Sequence, residues 1–442
     1  MRRILAFLFI HRSQARRIQV KARFAIALIV AVSISAPPLE AAARICRSAL
    51  ETGTFVLTRM GGQDEPDRGK LRAGLNALLS QQGFVEESEL EQLTEEAVKL
   101  HSKLSAHVED QRRLHGVIQY TSCPSVGGPF ASIDRMDVEF PSLMKQPSGG
   151  SDTDGHPSDR VRGIYLVPRR IPYPVRLPTL VLVHSALDEI DELERKLAEA
   201  LTAIGPGEAT TPGARGIGVF LVYLPHFGPR RVFKPKPASH VKKVWQNWVN
   251  ADFISVDLEV LRRNFEQAVL DLHEAVDWLQ GMPMVQPDQI SLLGMSLGGI
   301  AAASFAGIDP GRISSYALFG AGGNLPSVID RYRHEYQGDP VSIRWTSAQH
   351  SLSEIRFHLA PIDPMVWAHR AQASSFLYIG SKDDQLVTWE NSVSGFLSQL
   401  NSRIRVKKVW LISHNSVDSV LIPEIYFFRK LIVPVTNMVL GN

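Results

Sequence analysis

Residues Gln289–Ala303 read Gln-Ile-Ser-Leu-Leu-Gly-Met-Ser-Leu-Gly-Gly-Ile-Ala-Ala-Ala. An apolar run ends in G-x-S-x-G, and a run of small residues follows. That order spells a strand, a sharp turn and a helix built around Ser296. A serine at such a turn needs an unusual backbone conformation, and Gly294 and Gly298 omit the side chains that would clash there. Its hydroxyl then stands clear of the strand end. A bare G-x-S-x-G arises by chance in roughly one chain of this size in ten, given glycine at about 7%. The weight therefore rests on the strand-to-helix context.

The rest of the chain repeats that alternation. Short apolar or alternating runs at Met136–Phe140, Val161–Val167, Leu180–Val183, Gly218–Leu224, Ser315–Phe319, Ser375–Ile379 and Val406–Leu411 read as strands. Residues Ile190–Ile204 are helical in composition. From Asp257 to Gln280, Leu258, Leu261, Phe265, Val269, Leu272, Val276 and Leu279 recur every three or four residues, until Gly281 and Pro283 stop the helix. Alternation of this kind predicts an α/β fold, a mostly parallel central sheet with helices on both faces. Sites in such sheets lie at the carboxyl ends of the strands. Gln146–Pro157 is a polar turn-forming loop.

Three segments are expected: a targeting segment over 1–43, a helical extension over 44–130, and a catalytic domain over 131–442. The first acidic residue is Glu40, preceded by seven Arg and Lys residues, the uncharged stretch Phe24–Ala36, and then Ala41-Ala42-Ala43. This reads as a secretory signal cleaved near Ala43, placing the mature protein in the periplasm or outside the cell. An Arg-rich organelle transit peptide and an N-terminal membrane anchor are the alternatives. The apolar core is shorter than the ~20 residues of a spanning helix, so no stable membrane span is expected in the mature chain. In the extension, Ser88 and Glu91 form a candidate capping box before Leu90, Leu93, Ala97, Leu100, Leu104 and Val108 at helical spacing. Cys46 and Cys123 are the only cysteines. They either bridge in an oxidising compartment or remain two buried thiols. Among 442 residues, 48 Lys and Arg balance 45 Asp and Glu for a net charge of +3, too slight to imply a nucleic-acid partner. The lysines at 234, 236, 242 and 243 read as a solvated surface.

A serine hydroxyl needs a base to take its proton, a third group to orient the base, and donors for the oxyanion. Acids follow the strand at 375–379 in Gly380-Ser-Lys-Asp383-Asp384-Gln-Leu-Val387-Thr388, and His414 follows the next strand. The chain has 14 histidines, yet His414 is the only one after Gly380. In the order serine, acid, histidine it is the one candidate base.

These motifs resemble the α/β-hydrolase superfamily, nearest to its dienelactone hydrolase and acetyl-xylan esterase-like branches, from about Met136 to the C-terminus. The resemblance implies Ser296 as nucleophile, His414 as base, and Asp384 or Asp383 as acid. Family loops usually read G-x-x-D-x-x-V-P. Counting back from Val387-Thr388 favours Asp384, and Thr388 stands where proline is expected. It also implies an oxyanion hole made by the N–H of Leu297 and that of Ser185 or Ala186, from a loop where many relatives have His-Gly. His184 is expected to brace that loop, and with His226 to edge the substrate cleft. Some fifty residues from Gly320 to Ser374 are expected to form a small cap around 320–374.

The expected activity is hydrolysis of a small or medium acyl ester through an acyl-enzyme on Ser296, with no cofactor and no metal. An oligopeptide hydrolase of the prolyl-oligopeptidase type is the rival enzyme, though no blade-like repeat is present. A non-catalytic binding protein on the same fold is the rival of another class. Oligomeric state is not readable from the chain.

Overall fold

The computed structural model describes residues 47–56, 65–80, 86–109, 113–122, 133–144, 159–168, 176–186, 192–203, 216–230, 252–335, 340–382, 384, 386–410 and 431–441. Cys46, Cys123, the 146–157 loop, Asp383 and His414 lie outside the described residues. Residues 47–442 form one compact unit.

Ten strands make one sheet: β1 (Arg47–Val56), β2 (Arg113–Ser122), β3 (Ile133–Pro141), β4 (Arg160–Pro168), β5 (Leu177–Val183), β6 (Gly218–Tyr223), β7 (Val285–Met295), β8 (Ser315–Phe319), β9 (Ser375–Gly380) and β10 (Arg405–Trp410). Their order is β1-β2-β3-β4-β6-β5-β7-β8-β9-β10. From β6 to β10 every pairing is parallel, as the alternating pattern predicts. From β1 to β6 by way of β4 every pairing is antiparallel, so four antiparallel pairings extend the five parallel ones on one side.

The helices are α1 (Arg68–Ser80), α2 (Glu87–Glu109), α3 (Glu192–Ala203), α4 (Leu258–Gly281), α5 (Leu297–Ile308), α6 (Leu325–Glu335), α7 (Pro340–Ala348), α8 (Leu352–Leu359), α9 (Pro364–Trp367), α10 (Ser394–Gln399) and α11 (Val433–Val439). The central strands divide their side chains between two cores. Val181, Val183, Ile290 and Leu292 join α4 and α5 on one face. Leu180, Leu182, Leu293 and Met295 join α3 and α11 on the other. This is the period of two that a strand covered on both sides must show.

Two segments depart from the sequence expectation. The stretch 44–130 is not simply helical, because β1 and β2 continue the sheet beside β3. Within it α2 begins at Glu87, so Ser88 sits inside the helix and its hydroxyl meets Glu86 Oε2 at 3.5 Å instead of an amide. The stripe Leu90, Leu93, Ala97, Leu100, Leu104 and Val108 is buried. The 320–374 stretch also divides. Its first helix, α6, faces the site described below, whereas Leu359, Ala360, Ile362, Met365, Val366 and Trp367 are fully buried in the core. Small residues on α5 permit this: a Cβ on Gly307 would lie 2.2 Å from the Trp367 carbonyl oxygen.

Candidate active site

Parallel pairing places the candidate elements at one edge of the sheet. Val183 pairs with Gly294, Gly294 with Leu318, Phe319 with Ile379, and Gly380 with Trp410. The segments that leave those strands, at 184–186, 296, 381–382 and 384, therefore depart from a common edge.

Ser296 lies between β7 and α5 with φ 48° and ψ −116°. Positive φ in a residue with a Cβ is a strained conformation, costing about 1–3 kcal/mol, and persists only where the surroundings over-determine it. Here the Ser296 N–H is bound to the Phe319 carbonyl at 2.8 Å, and the Ile300 N–H reaches back to the Ser296 carbonyl at 3.1 Å. Close approach completes the clamp. A Cβ on Gly298 would lie 2.1 Å from the His184 carbonyl oxygen, and one on Gly294 would lie 2.5 Å from Gly299 Cα. The helix that follows is buried along its whole length, which only a run such as Gly298-Gly299-Ile-Ala-Ala-Ala allows. Leu297 opens that helix, so its N–H has no acceptor within the helix.

The loop after β5 carries His184, Ser185 and Ala186. The Ser185 N–H donates to Glu194 Oε1 at 2.6 Å. That amide is thus committed to a buried carboxylate at the start of α3, and Ala186 is the residue of the pair that borders the cavity beside Ser296. His184 is buried. Its Nδ1 donates to the Ser185 carbonyl at 2.7 Å and its Nε2 accepts from the Leu224 N–H at 3.0 Å. Burial, with Arg230 adding to it, pulls His184 down to about 4, against the opposing pull of the Ser185 carbonyl, so the ring is neutral at pH 7. It braces two loops and does not border the cavity.

His226 is buried as well, with φ 65° and its Nε2 at 3.1 Å from Asn264 Oδ1. Asn264 in turn donates to the Asp252 and Phe253 carbonyls at 3.0 and 2.9 Å. His226 too is placed within the protein framework and does not border the cavity. Nearby Arg230 is fully buried, with Nη1 at 2.6 Å from Asp271 Oδ2 and 2.9 Å from the Tyr223 carbonyl.

Asp384 follows β9 and is 5% exposed. Its Oδ1 accepts the N–H groups of Leu386 at 3.0 Å and Val387 at 2.9 Å. Two amides thus fix the carboxylate plane. Thr388, in the place expected for proline, caps the following turn, its hydroxyl accepting from the Asn391 N–H at 3.4 Å.

Beside half-buried Ser296 is a cavity of about 60 Å³. Ala186 borders it from the β5 loop, Leu297 and Ile300 from α5, Leu386 and Val387 from the acid loop, and Leu325, Val328, Ile329 and Tyr332 from α6. Three of the expected regions therefore meet at one hollow. Asp363 holds the α6 wall in place. Fully buried, it accepts from the Asn324 N–H at 3.1 Å and the Met365 N–H at 2.8 Å through Oδ1, and from the Leu325 N–H through Oδ2. Asn324, at φ 60°, ties α6 to the acid side by donating from Nδ2 to the Asn391 carbonyl at 3.1 Å.

Sequence reasoning missed Glu194, which reads as an ordinary first-turn acid of a helix. It also missed Asp363, whose bonds to Asn324 and Leu325 join residues far apart in the chain. Among the described residues, no three His, Cys, Asp or Glu side chains are placed to hold a metal ion. Among them also, no helix is long and apolar enough to cross a membrane.

No family model matches the sequence, and no curated protein does. Solved structures do resemble it. An acetyl xylan esterase from a Paenibacillus species is 18% identical over 70% of this chain and 86% of its own, with a TM-score of 0.47. An acetyl xylan esterase from a Thermoanaerobacterium species is 15% identical over 81% of this chain and 90% of its own, at 0.44. A putative dipeptidyl aminopeptidase IV from Bacteroides ovatus is 10% identical over 75% of this chain and 41% of its own, at 0.43.

Proposed function

We propose that this chain is a serine hydrolase of the α/β-hydrolase type, cleaving carboxylic esters through an acyl-enzyme on Ser296. The observation that carries the reading is the strained φ of 48° at Ser296, at the turn between a central parallel strand and a buried helix, beside a cavity. Strain of this kind, at a strand-to-helix turn, is what raises a nucleophile above a sheet edge.

In this reading Ser296 Oγ attacks the ester carbonyl carbon while its proton passes to His414. The carbonyl oxygen becomes an oxyanion, received by the N–H of Leu297 and the N–H of Ala186. Ala186 is preferred to Ser185 because the Ser185 amide already serves Glu194. Asp384 orients His414 and stabilises its charge, itself oriented by the amides of Leu386 and Val387. Collapse of the intermediate expels the alcohol, which takes the proton from His414. Water then repeats the sequence on the acyl-enzyme and releases the acid. A small-molecule ester is the partner this chemistry requires.

The test is labelling by a fluorophosphonate probe of the wild type, Ser296→Ala and His414→Ala. Labelling is expected in the wild type and lost in both variants. A folded wild-type protein that takes no label overturns the assignment. Parallel assays with p-nitrophenyl esters and peptide anilides separate ester from amide hydrolysis, and turnover confined to the anilides would replace this reading with a peptidase.

A further inference from the structure

The cavity beside Ser296 has a composition that bears on what it admits. Its walls away from the serine are Ile254, Ile300, Leu325, Val328, Ile329 and Leu386, with Tyr332 beside them. None of the six aliphatic residues can donate or accept a hydrogen bond through its side chain, and Tyr332 alone adds a hydroxyl. A sugar hydroxyl or a charged acid placed among them would lose its water without a replacement partner, at a heavy cost. An alkyl group would lose nothing and gain burial. The lining favours aliphatic content.

Size limits it further. A cavity of about 150 Å³ lined by aliphatic and aromatic side chains accommodates a benzene ring. The hollow beside Ser296 is partly open, and its volume of about 60 Å³ is under half of that, sheltering roughly two to four carbon atoms by the same scale. The far wall does not belong to the sheet or its central helix. Val328 and Ile329 come from α6, and Ile254 comes from the segment that precedes α4. Both α6 residues are nearly buried, at 7% and 4% exposed, so they are packed in place instead of swinging in solvent. Asp363 and Asn324 pin the first turn of that helix by three backbone amides and one side-chain amide. A wall fixed in this way measures length.

We infer that this cavity receives the acyl portion of the ester as a short aliphatic chain of roughly two to four carbons, and that Val328 and Ile329 set its upper limit. The inference rests on the ester-hydrolase reading above. It takes the acyl portion as the occupant, with Ala186 and Leu297, the residues read as oxyanion donors, bordering the cavity and setting the carbonyl at its mouth. The acyl carbonyl must sit between those donors and Ser296.

The test uses p-nitrophenyl esters from acetate to decanoate, which vary the acyl chain at constant leaving group, and acetate esters of ethanol to octanol, which vary the alcohol. In the wild type, kcat/KM is expected to fall by roughly tenfold or more between butanoate and octanoate, the discrimination that a misfitting methylene produces in an apolar pocket. Ile329→Ala should raise octanoate relative to butanoate by about tenfold. Val328→Phe should do the reverse, depressing butanoate relative to acetate by about tenfold. Circular dichroism checks that each variant folds, and Val328→Phe carries the comparison if Ile329→Ala does not.

A flat acyl profile, a preference for long chains, or a ceiling that follows the alcohol overturns the inference while fluorophosphonate labelling of Ser296 leaves the hydrolase reading standing. A profile unchanged in two folded variants overturns the assignment of Val328 and Ile329. Absence of labelling overturns the hydrolase reading and this inference together.

Discussion

The Ser185 amide and the Glu194 carboxylate are joined at 2.6 Å, the loop after β5 being tied to the first turn of α3. The bond fixes which amide of that loop is left for other work. It also links the pose of Ala186 to a residue on the opposite face of the sheet.

Glu194→Ala is expected to lower kcat by about tenfold or more, because a donor displaced by a fraction of an ångström loses most of its hold on an oxyanion. Glu194→Gln retains an acceptor and should recover most of the activity. Steady-state kinetics on a p-nitrophenyl ester, with thermal melts to confirm folding, decides the matter. Wild-type kcat in a folded Glu194→Ala protein would remove the loop tie from the mechanism.

For the acid, Asp384→Asn should reduce kcat by roughly a thousandfold or more, since a carboxylate that orients the base has no neutral equivalent. Asp383→Asn should stay within about threefold. The measurement is a side-by-side rate comparison of the two variants. The reverse ranking would move the acid to Asp383.

Gly298→Ala should be poorly tolerated, with a stability loss of about 2–3 kcal/mol or more. The added methyl meets the carbonyl oxygens of His184 at 2.1 Å and Val183 at 2.7 Å, and backbone cannot swing aside as a side chain can. Denaturant titration reads this as a lower midpoint. An unchanged midpoint would mean that β5 and α5 do not approach so closely.

His273 supplies a pH dependence remote from the site. Burial alone would pull its pKa down, but Asp309 at 2.6 Å and Asp277 at 3.2 Å outweigh burial and raise it to about 9. The imidazolium is therefore the folded form at neutral pH, and the bonds to both carboxylates stabilise it. A base raised on folding contributes fully below its unfolded value of about 6.5 and loses that contribution as pH rises through about 9. The guanidinium midpoint should fall between pH 6.5 and 9.5, and the fall should be smaller in His273→Gln. Equal slopes in both proteins would rule out His273 as the source.

Much of this was legible locally. The strand at Ser315–Phe319 and the long helix after Asp257 are written in neighbouring residues, and the structure places them where periodicity predicts. So is the turn at Ser296, because Gly294 and Gly298 serve one local geometry. Three things were not legible, each because it depends on residues distant in sequence. The antiparallel half of the sheet arises from pairing between β1, β2 and β3, whose partners no short motif names. His184 and His226 were expected at the cleft because each follows a strand. Their commitment to the Leu224 amide and to Asn264 is visible only once loops from different strands are side by side. The choice between Ser185 and Ala186 turned on a carboxylate nine residues away, which sequence presents as a routine helix-start acid.

The contact between α1 and α9 carries a consequence for how the protein is made. A Cβ on Gly74 would lie 2.9 Å from the Met365 carbonyl oxygen, so backbone rests on backbone there. Leu71, Leu75, Leu78 and Leu79 of α1 are wholly buried in the same core. Residues 74 and 365 emerge from the ribosome about 290 residues apart, a delay of roughly 15–60 s at 5–20 residues per second. For that interval α1 can pack on α2 but lacks the seat that α9 provides. Nascent chains that stop short of Met365 therefore lack part of this core, and α1 takes its final place in the folded protein only near the end of translation.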